Sequence, residues 1–256
     1  HARGDVGETF YNDAVLLVAV GEVLENSELL RMNIKKAAAC ACKRVPDESE
    51  VVFADSPYAE DAVYAFVIAC YRFDFLTAKK LQKRLRLNAP KHATAVRIAE
   101  AQNFARFLGD MPANMMTPTH FTEYAKEFLR DESVEIEVFD REYMKSKEMN
   151  LVLSVAQGSA QEPKLLRLKY FGRPGRDINV ALVGKGVTFD TGGICLKPSK
   201  DMFAMKYDMM GAATLLALFK LVASSKMPVN ISATFPLVEN TPSGTATKPG
   251  DVFFSM

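Results

Sequence analysis

The sequence predicts an α/β fold, and three observations carry that prediction. Short, unbroken apolar runs alternate with segments whose apolar residues recur every three or four positions, the periods of strands and helices in layered proteins. Clusters of Gly, Pro, Asn and Asp punctuate the changes. Of the 256 residues, 48% are hydrophobic and 25% charged, enough apolar material for one large or two ordinary domains.

The elements follow in order. Residues 14–20, Ala-Val-Leu-Leu-Val-Ala-Val, form a run closed by Gly21 and read as a strand covered on both faces. Residues 28–44 have helical spacing, with Asn26 and Ser27 as candidate N-caps and Pro46 beyond the end. A short strand at 51–53 and a second helix at 58–76, introduced by Asp55, Ser56 and Pro57, complete a strand-helix-strand-helix unit. The stretch 78–91 then turns basic with leucine spacing, from Lys79 to Leu87, and ends at Asn88, Ala89 and Pro90. It reads as a solvated, loosely ordered linker rather than a nucleic-acid or lipid contact.

Residues 94–108 form an amphipathic helix through Val96, Ile98, Ala101, Phe104, Ala105 and Leu108, with Gly109 as its C-cap glycine and Pro112 beyond. A helix at 119–130 and strands at 134–139, 151–156 and 164–171 come next. A buried strand at 179–183 leads into glycines, followed by a helix at 208–225 and a last strand at 229–235. Pro249-Gly-Asp-Val-Phe-Phe254 reads as a turn and the beginning of a further strand.

Composition excludes several classes. With 32 Lys+Arg against 31 Asp+Glu, the net charge of +1 gives no global field to recruit nucleic acid or an anionic membrane. The longest apolar runs are strand-sized, short of the ~18 residues of a membrane span. Four cysteines, Cys40, Cys42, Cys70 and Cys195, include no Cys-x-x-Cys pair and suit a reducing compartment, Cys40 and Cys70 reading as small buried thiols. Three scattered histidines, His1, His92 and His120, leave no material for histidine metal sites or for Ser-His and Cys-His nucleophile systems. Residues 1–13 are too polar for a signal peptide, so a missing front end is expected rather than a targeting segment.

The densest chemistry lies in Val183-Gly-Lys-Gly-Val-Thr-Phe-Asp-Thr-Gly-Gly-Ile-Cys-Leu-Lys197, followed by Met205-Lys-Tyr-Asp208. A strand emptying into a glycine-rich loop is where α/β sheets place ligands. A phosphate loop fails, because Lys185 is followed by Gly186 and another strand-like stretch instead of a helix. An aspartic protease, suggested by Asp190-Thr-Gly192, needs two such aspartates on an all-β fold and stays a weak alternative. The third reading is a metal site of Lys185, Asp190 and Asp208: carboxylates suit divalent ions, and a lysine ligates only as its neutral amine.

Lys185-Gly-Val-Thr-Phe-Asp-Thr-Gly-Gly193, Lys197, Met205-x-x-Asp208 with Gly211-Ala-Ala213, Glu239-Asn240, Pro242-Ser-Gly244 and Lys248-Pro-Gly-Asp-Val252 resemble, in order and spacing, the leucine (cytosol) aminopeptidases. Gln102-Asn103, Ala105-Arg106, Met111-Pro-Ala-Asn114 and Met116-Thr-Pro118 resemble that family's interdomain helix and the start of its catalytic domain. Before residue 90 the likeness is weaker and rests on Thr9-Phe-Tyr11, the first strand and Tyr71-x-Phe73-Asp74.

The resemblance implies a small, incomplete N-terminal α/β domain at 1–90, a linking helix at 91–110 and the first half of a mixed-sheet catalytic domain at 111–256. It implies a cytosolic, homohexameric exopeptidase that acts on peptides with two divalent ions (Zn²⁺, Mn²⁺ or Mg²⁺). Asp190 matches the carboxylate bridging both ions, and Lys185 and Asp208 match ligands of the tighter one. Lys197 matches the catalytic lysine that binds the substrate carbonyl oxygen and stabilises the oxyanion, and Met205 a residue of the pocket for an apolar first side chain such as Leu. Each has an ordinary competitor: Asp208 as a helix N-cap, Asp190 as a glycine-turn acceptor, the lysines as surface charges and Met205 as core.

The family's further Asn-Thr-Asp-Ala-Glu-Gly-Arg-Leu motif does not occur before Met256. Two dications bring four positive charges against the two negative ones of Asp190 and Asp208. The expectation is a piece of a longer enzyme, inactive by itself, with apolar strands such as 229–235 exposed at an edge. The alternative is a non-catalytic short isoform acting through binding, and an in-frame stop codon after Met256 would favour it.

Overall fold

The structure, a computed structural model, describes residues 5–12, 15–21, 27–78, 80 and 82–255. Asn26 as an N-cap, Ala14 as the start of a strand, and Lys79 and Leu81 of the basic stretch lie outside the described residues, as do His1 and Met256. The chain forms two compact units, 1–103 and 104–256.

In the first unit, β1 (Thr9–Asn12) and β2 (Val15–Val18) make an antiparallel hairpin that pairs Thr9 with Val18. The sequence predicted a strand covered on both faces, but β2 is one arm of a hairpin with Val15 and Leu17 exposed. Helix α1 (Ser27–Arg44) runs as its spacing predicts, and Ala38, Ala41 and Cys42 form a core with Ala65 and Phe66. Strand β3 (Glu50–Val52) follows, then α2 (Ala59–Cys70), whose Phe66 ring meets Phe53 edge-on at 5.4 Å. Helix α2 stops at Cys70, short of the predicted residue 76: Tyr71 turns extended, and the Arg72 guanidinium takes the carbonyls of Ala69 and Tyr71 at 3.0 and 2.8 Å.

The basic stretch is more than a linker. Its residues Arg86–Asn88 form β4, parallel to β3. Lys83 Nζ donates to the carbonyl oxygens of Cys42, Lys43 and Val45 at 2.9, 3.0 and 2.5 Å, meeting the orphan acceptors and negative dipole end of α1.

Helix α3 (Ala93–Asp110) runs through Gly109, which is helical and not the predicted left-handed cap. A Cβ there would lie 2.5 Å from Met210 Sδ and 3.0 Å from Tyr207 Cδ1, so a larger residue would have to displace those side chains. The second unit continues with α4 (Pro118–Phe128), β5 (Val134–Phe139), α5 (Arg141–Ser146), α6 (Asn150–Ala156), β6 (Lys164–Phe171), β7 (Val180–Val183), β8 (Gly186–Asp190), α7 (Met210–Ser224) and β9 (Asn230–Asn240). The sheet is mixed: β5, β6 and β9 are antiparallel neighbours, and β7 and β8 follow one another along the far side of β9, both parallel to it.

Four expectations change here. Residues 151–156, read as a strand, are helix α6; a short apolar run fits either state, and β5 already occupies the edge of β6 that a further strand would need. The last strand is neither short nor exposed: β9 extends to Asn240 and lies at the centre, with Ala233, Phe235 and Leu237 fully buried, because β7 and β8 cover its second side. The exposed edge is β7 instead, where Val180 and Val183 face out although the sequence predicted a buried strand. Residues 249–255 form no strand; Asp251 accepts from the Lys248 amide at 2.9 Å in a tight turn.

Residues Met202–Ser224 are long and apolar enough to cross a membrane by length and composition, contrary to the sequence reading. Helix α7 itself spans only about 22 Å at ~1.5 Å per residue. Its Ala212, Leu216 and Phe219 are fully buried, as in a core helix.

Across β5 and β6, Glu137 accepts from Arg167 Nε and Nη2 at 2.8 and 2.9 Å and faces Lys169 Nζ at 3.2 Å. The Arg167 hydrogen bonds outweigh burial and, with Lys169, hold its carboxyl at about 2. A depressed carboxylate stabilises the fold above its unfolded value, and that contribution is lost as pH falls from about 4.5 towards 2. Glu137→Gln is therefore expected to destabilise the protein at pH 7 and to converge with wild type near pH 2. Urea melts at both pH values check this, and an equal difference at both would contradict it.

Candidate active site

Strand β7 ends at Val183 and β8 begins at Gly186, so Gly184 and Lys185 form a kink beside β9. The Gly184 amide donates to Thr234 O at 3.0 Å and keeps the kink attached to the sheet. The first turn of α7 closes on it, with the Ala212 amide donating to Lys185 O at 2.9 Å. That approach depends on glycine: a Cβ on Gly184 would lie 2.9 Å from Ala212 Cα, and one on Gly211 would lie 3.1 Å from Lys185 N. The Lys185 backbone is thus fixed while its exposed side chain reaches Asp208 Oδ1 at 2.8 Å.

Asp190 stands at the carboxyl end of β8, in register with Asn240 at the end of β9. Its Oδ1 accepts from the Gly192 amide at 2.9 Å and from Asn240 Nδ2 at 2.7 Å. Its Oδ2 takes Lys197 Nζ at 2.5 Å. Burial pushes the Asp190 pKa up, but the Lys197 ammonium and the Gly192 and Asn240 donors outweigh it, leaving the carboxyl below its ordinary value. Gly192 and Gly193, at φ +90° and +70°, make the loop that returns Lys197 to its aspartate, closed by the Lys197 amide on Thr191 O at 2.9 Å.

The two ion pairs meet on one short element. Met202–Tyr207 is a 3₁₀ turn with Asp208 as its C-cap. Met205 and Asp208 lie one turn apart, at the period that puts side chains on one face. Met205 Sδ lies 3.1 Å from Lys197 Nζ, and Asp208 holds Lys185. Asp208 does not cap α7, whose N-cap is Met209, so the ordinary reading of that residue fails. Its Oδ2 is buried with no hydrogen-bond partner among the described residues. The Asp190 turn hydrogen bond and its ion pair coexist, and neither lysine is a free surface charge.

The sequence singled out Lys185, Asp190, Lys197, Met205 and Asp208, and the structure brings them together around this turn. It assigned no role to Asn240 or to the Gly192 amide, although both lay inside motifs it quoted. Asn240 acts through strand register, because β9 delivers it beside Asp190 from a distant part of the chain.

No group of three or more His, Cys, Asp and Glu side chains converges among the described residues. With a lysine amine admitted as a donor, Lys185, Asp190 and Asp208 supply the hard and borderline donors that divalent ions take. The orphaned Asp208 Oδ2 is the kind of buried acceptor that a cation would satisfy. The residues present fit such an ion.

Two aspartates, each countered by a lysine, beside the carboxyl ends of parallel strands in a mixed sheet define an α/β protein with a polar site at its strand ends. The chain belongs to the cytosol aminopeptidase family, whose catalytic domain matches residues 103–256. It is 46% identical over 267 residues to a cytosol aminopeptidase of Encephalitozoon cuniculi (strain GB-M1), covering 100% of this chain and 55% of that protein. A probable cytosol aminopeptidase of Aromatoleum aromaticum is 35% identical over 271 residues, covering 99% of this chain and 52% of the relative.

Among solved structures, a bottromycin maturation enzyme, BotP, in complex with Mn superposes with a TM-score of 0.85 at 29% identity, covering 97% of this chain and 57% of that one. The cytosol aminopeptidase of Coxiella burnetii superposes with a TM-score of 0.74 at 27% identity, covering 84% and 48%. The chain thus spans about half the length of the curated relatives it matches. The single Asp-Thr-Gly on a mixed sheet with packed helices leaves no basis for an aspartic protease.

Proposed function

We propose that the protein carrying this chain is a metal-dependent aminopeptidase that releases N-terminal residues, preferring Leu-type side chains, from peptides. The observation that carries this reading is the convergence of Lys185·Asp208 and Lys197·Asp190 on one 3₁₀ turn inside the segment matched by the family's catalytic domain. Lys185, Asp190 and Asp208 would hold divalent ions, two in the full site, as Zn²⁺, Mn²⁺ or Mg²⁺; the manganese named for the BotP structure favours Mn²⁺ as the first ion to test. The bound ions supply Lewis acidity and a water of lowered pKa.

The remaining roles fall to the chain's own side chains. Lys185, now paired with Asp208, would ligate such an ion only as its neutral amine. Lys197 donates from Nζ to the scissile carbonyl oxygen and to the oxyanion that develops there, exchanging its present contact with Asp190. Asn240 and the Gly192 amide keep Asp190 oriented through Oδ1 while Oδ2 is free to change partners. Met205 lines the pocket for the first side chain. In this reading 1–90 is an accessory domain, 91–110 the link and 111–256 part of the catalytic domain, in a cytoplasmic homohexamer.

The test uses the product of the complete open reading frame, stripped with chelator and assayed on leucine p-nitroanilide with Mn²⁺, Zn²⁺ or Mg²⁺ restored. Metal-dependent release abolished by Asp190→Ala is expected. Turnover indifferent to both the chelator and that substitution would overturn the proposal.

A further inference from the structure

The turn that carries Met205 and Asp208 has little to hold it from within. It is six residues of 3₁₀ helix, a form whose hydrogen bonds are poorly aligned. It is entered through Asp201 at φ +61°, a left-handed conformation that costs energy for any residue but glycine. Among the described residues no side chain caps its start. Contacts from outside must therefore fix its place.

Those contacts come from the end of α3. At three residues per turn, Met205 and Asp208 share one row of the 3₁₀ element, and Lys206 and Tyr207 occupy the other two. Lys206 Nζ donates to the carbonyl oxygen of Asp110 at 2.8 Å, an orphan acceptor at the negative end of the α3 dipole. Tyr207 Oη donates to Asp110 Oδ1, also at 2.8 Å. The ammonium of Lys206 lies 5.0 Å from the centre of the Tyr207 ring, which ties the two anchors together. That ring packs so close to Gly109 that a Cβ there would lie 3.0 Å from Tyr207 Cδ1. One residue, Asp110, thus receives both anchors, one on its backbone and one on its carboxylate.

We propose that Asp110, Lys206 and Tyr207 are positioning residues of the metal site: they clamp the 3₁₀ turn to the end of α3 so that Asp208 stands ready for a cation. The inference rests on the metal-dependent reading above. None of the three touches Lys185 or Asp190 in the contacts that seat the turn; they act through the backbone that carries Asp208. The buried Asp208 Oδ2, without a hydrogen-bond partner among the described residues, is the atom whose placement depends on the clamp. A ligand held by its supporting contacts binds an ion without first being ordered, so loosening the clamp costs metal affinity.

The test measures Mn²⁺ binding to the chelator-stripped product of the complete reading frame, from the electron paramagnetic resonance signal of the free ion. Urea midpoints are recorded in parallel, and Asp208→Asn serves as the control for a lost ligand. Tyr207→Phe and Asp110→Ala remove the same hydrogen bond from opposite ends while the ring stays against Gly109 in the first. Each is expected to weaken binding by about 10-fold, the lower end for groups that steady a metal ligand. The double variant should be no weaker than the poorer single one. Lys206→Met, which removes the other anchor, should weaken binding likewise. Asp110→Asn, whose amide oxygen still accepts from the phenol, should restore it. Wild-type affinity in Tyr207→Phe and Asp110→Ala, with binding lost in Asp208→Asn, would overturn the clamp and leave the metal site standing. Urea midpoints that fall in step with affinity, with Asp110→Asn no better than Asp110→Ala, would reduce the contacts to general packing and overturn it too. A wild-type protein that binds no Mn²⁺ would overturn the metal-dependent reading and the clamp together.

Discussion

Lys197→Ala is expected to lower kcat for leucine-amide hydrolysis by about 10²–10³-fold in the metal-loaded product of the complete reading frame, ~2.7–4 kcal/mol, as for loss of one oxyanion donor. KM should change far less, because the lysine's contact with oxygen strengthens only as charge develops there. The substitution also removes the cation held 2.5 Å from Asp190 Oδ2, so a stability control is needed. Lys197→Arg supplies it: the guanidinium keeps the charge beside Asp190 but presents a planar fork in place of a compact ammonium, so folding should recover and kcat should not. Wild-type kcat in both variants would reduce Lys197 to a structural partner of Asp190.

Phe235→Ala should cost about 3–5 kcal/mol of stability, the range for emptying a buried aromatic site. Phe235 is fully buried at the middle of β9, in register with the fully buried Leu166, and its ring centroid is 6.4 Å from that of Phe121. Surrounding side chains have little room to collapse, because β6 holds one side of β9 and β7 with β8 the other. Phe235→Leu retains most of the volume and should cost clearly less. Equilibrium urea unfolding measures both, and a loss below about 1 kcal/mol for the alanine variant would show that the sheet centre repacks. The same strand carries Asn240 to the site and aligns Asp190 beside it, so weakening β9 should also loosen the Asp190 environment.

Legibility in the sequence followed the range of the interaction. Helices α1, α3 and α4 and strands β5 and β6 were readable because their apolar residues repeat at the local period of the element that buries them. Lys185, Asp190, Lys197, Met205 and Asp208 were readable from the order of motifs around glycines, and Gly192 and Gly193 do take the positive φ that such a loop requires. Residues 151–156 were misread because six residues of mixed Leu, Val, Ser and Ala satisfy either period, and the outcome turned on which sheet edge was already taken.

Amino-acid order by itself determined the α/β class, most helix positions, the family and the candidate site residues, since each depends on neighbours within a few positions or on a motif read in line. Only the tertiary structure decided that β9 is central and β7 the edge, that Asp208 pairs with Lys185 instead of capping α7, and that Asn240 steadies Asp190. These are choices among partners far apart in the chain, made when packing and strand pairing outweigh the entropy of closing the loops between them, and no local period records that competition.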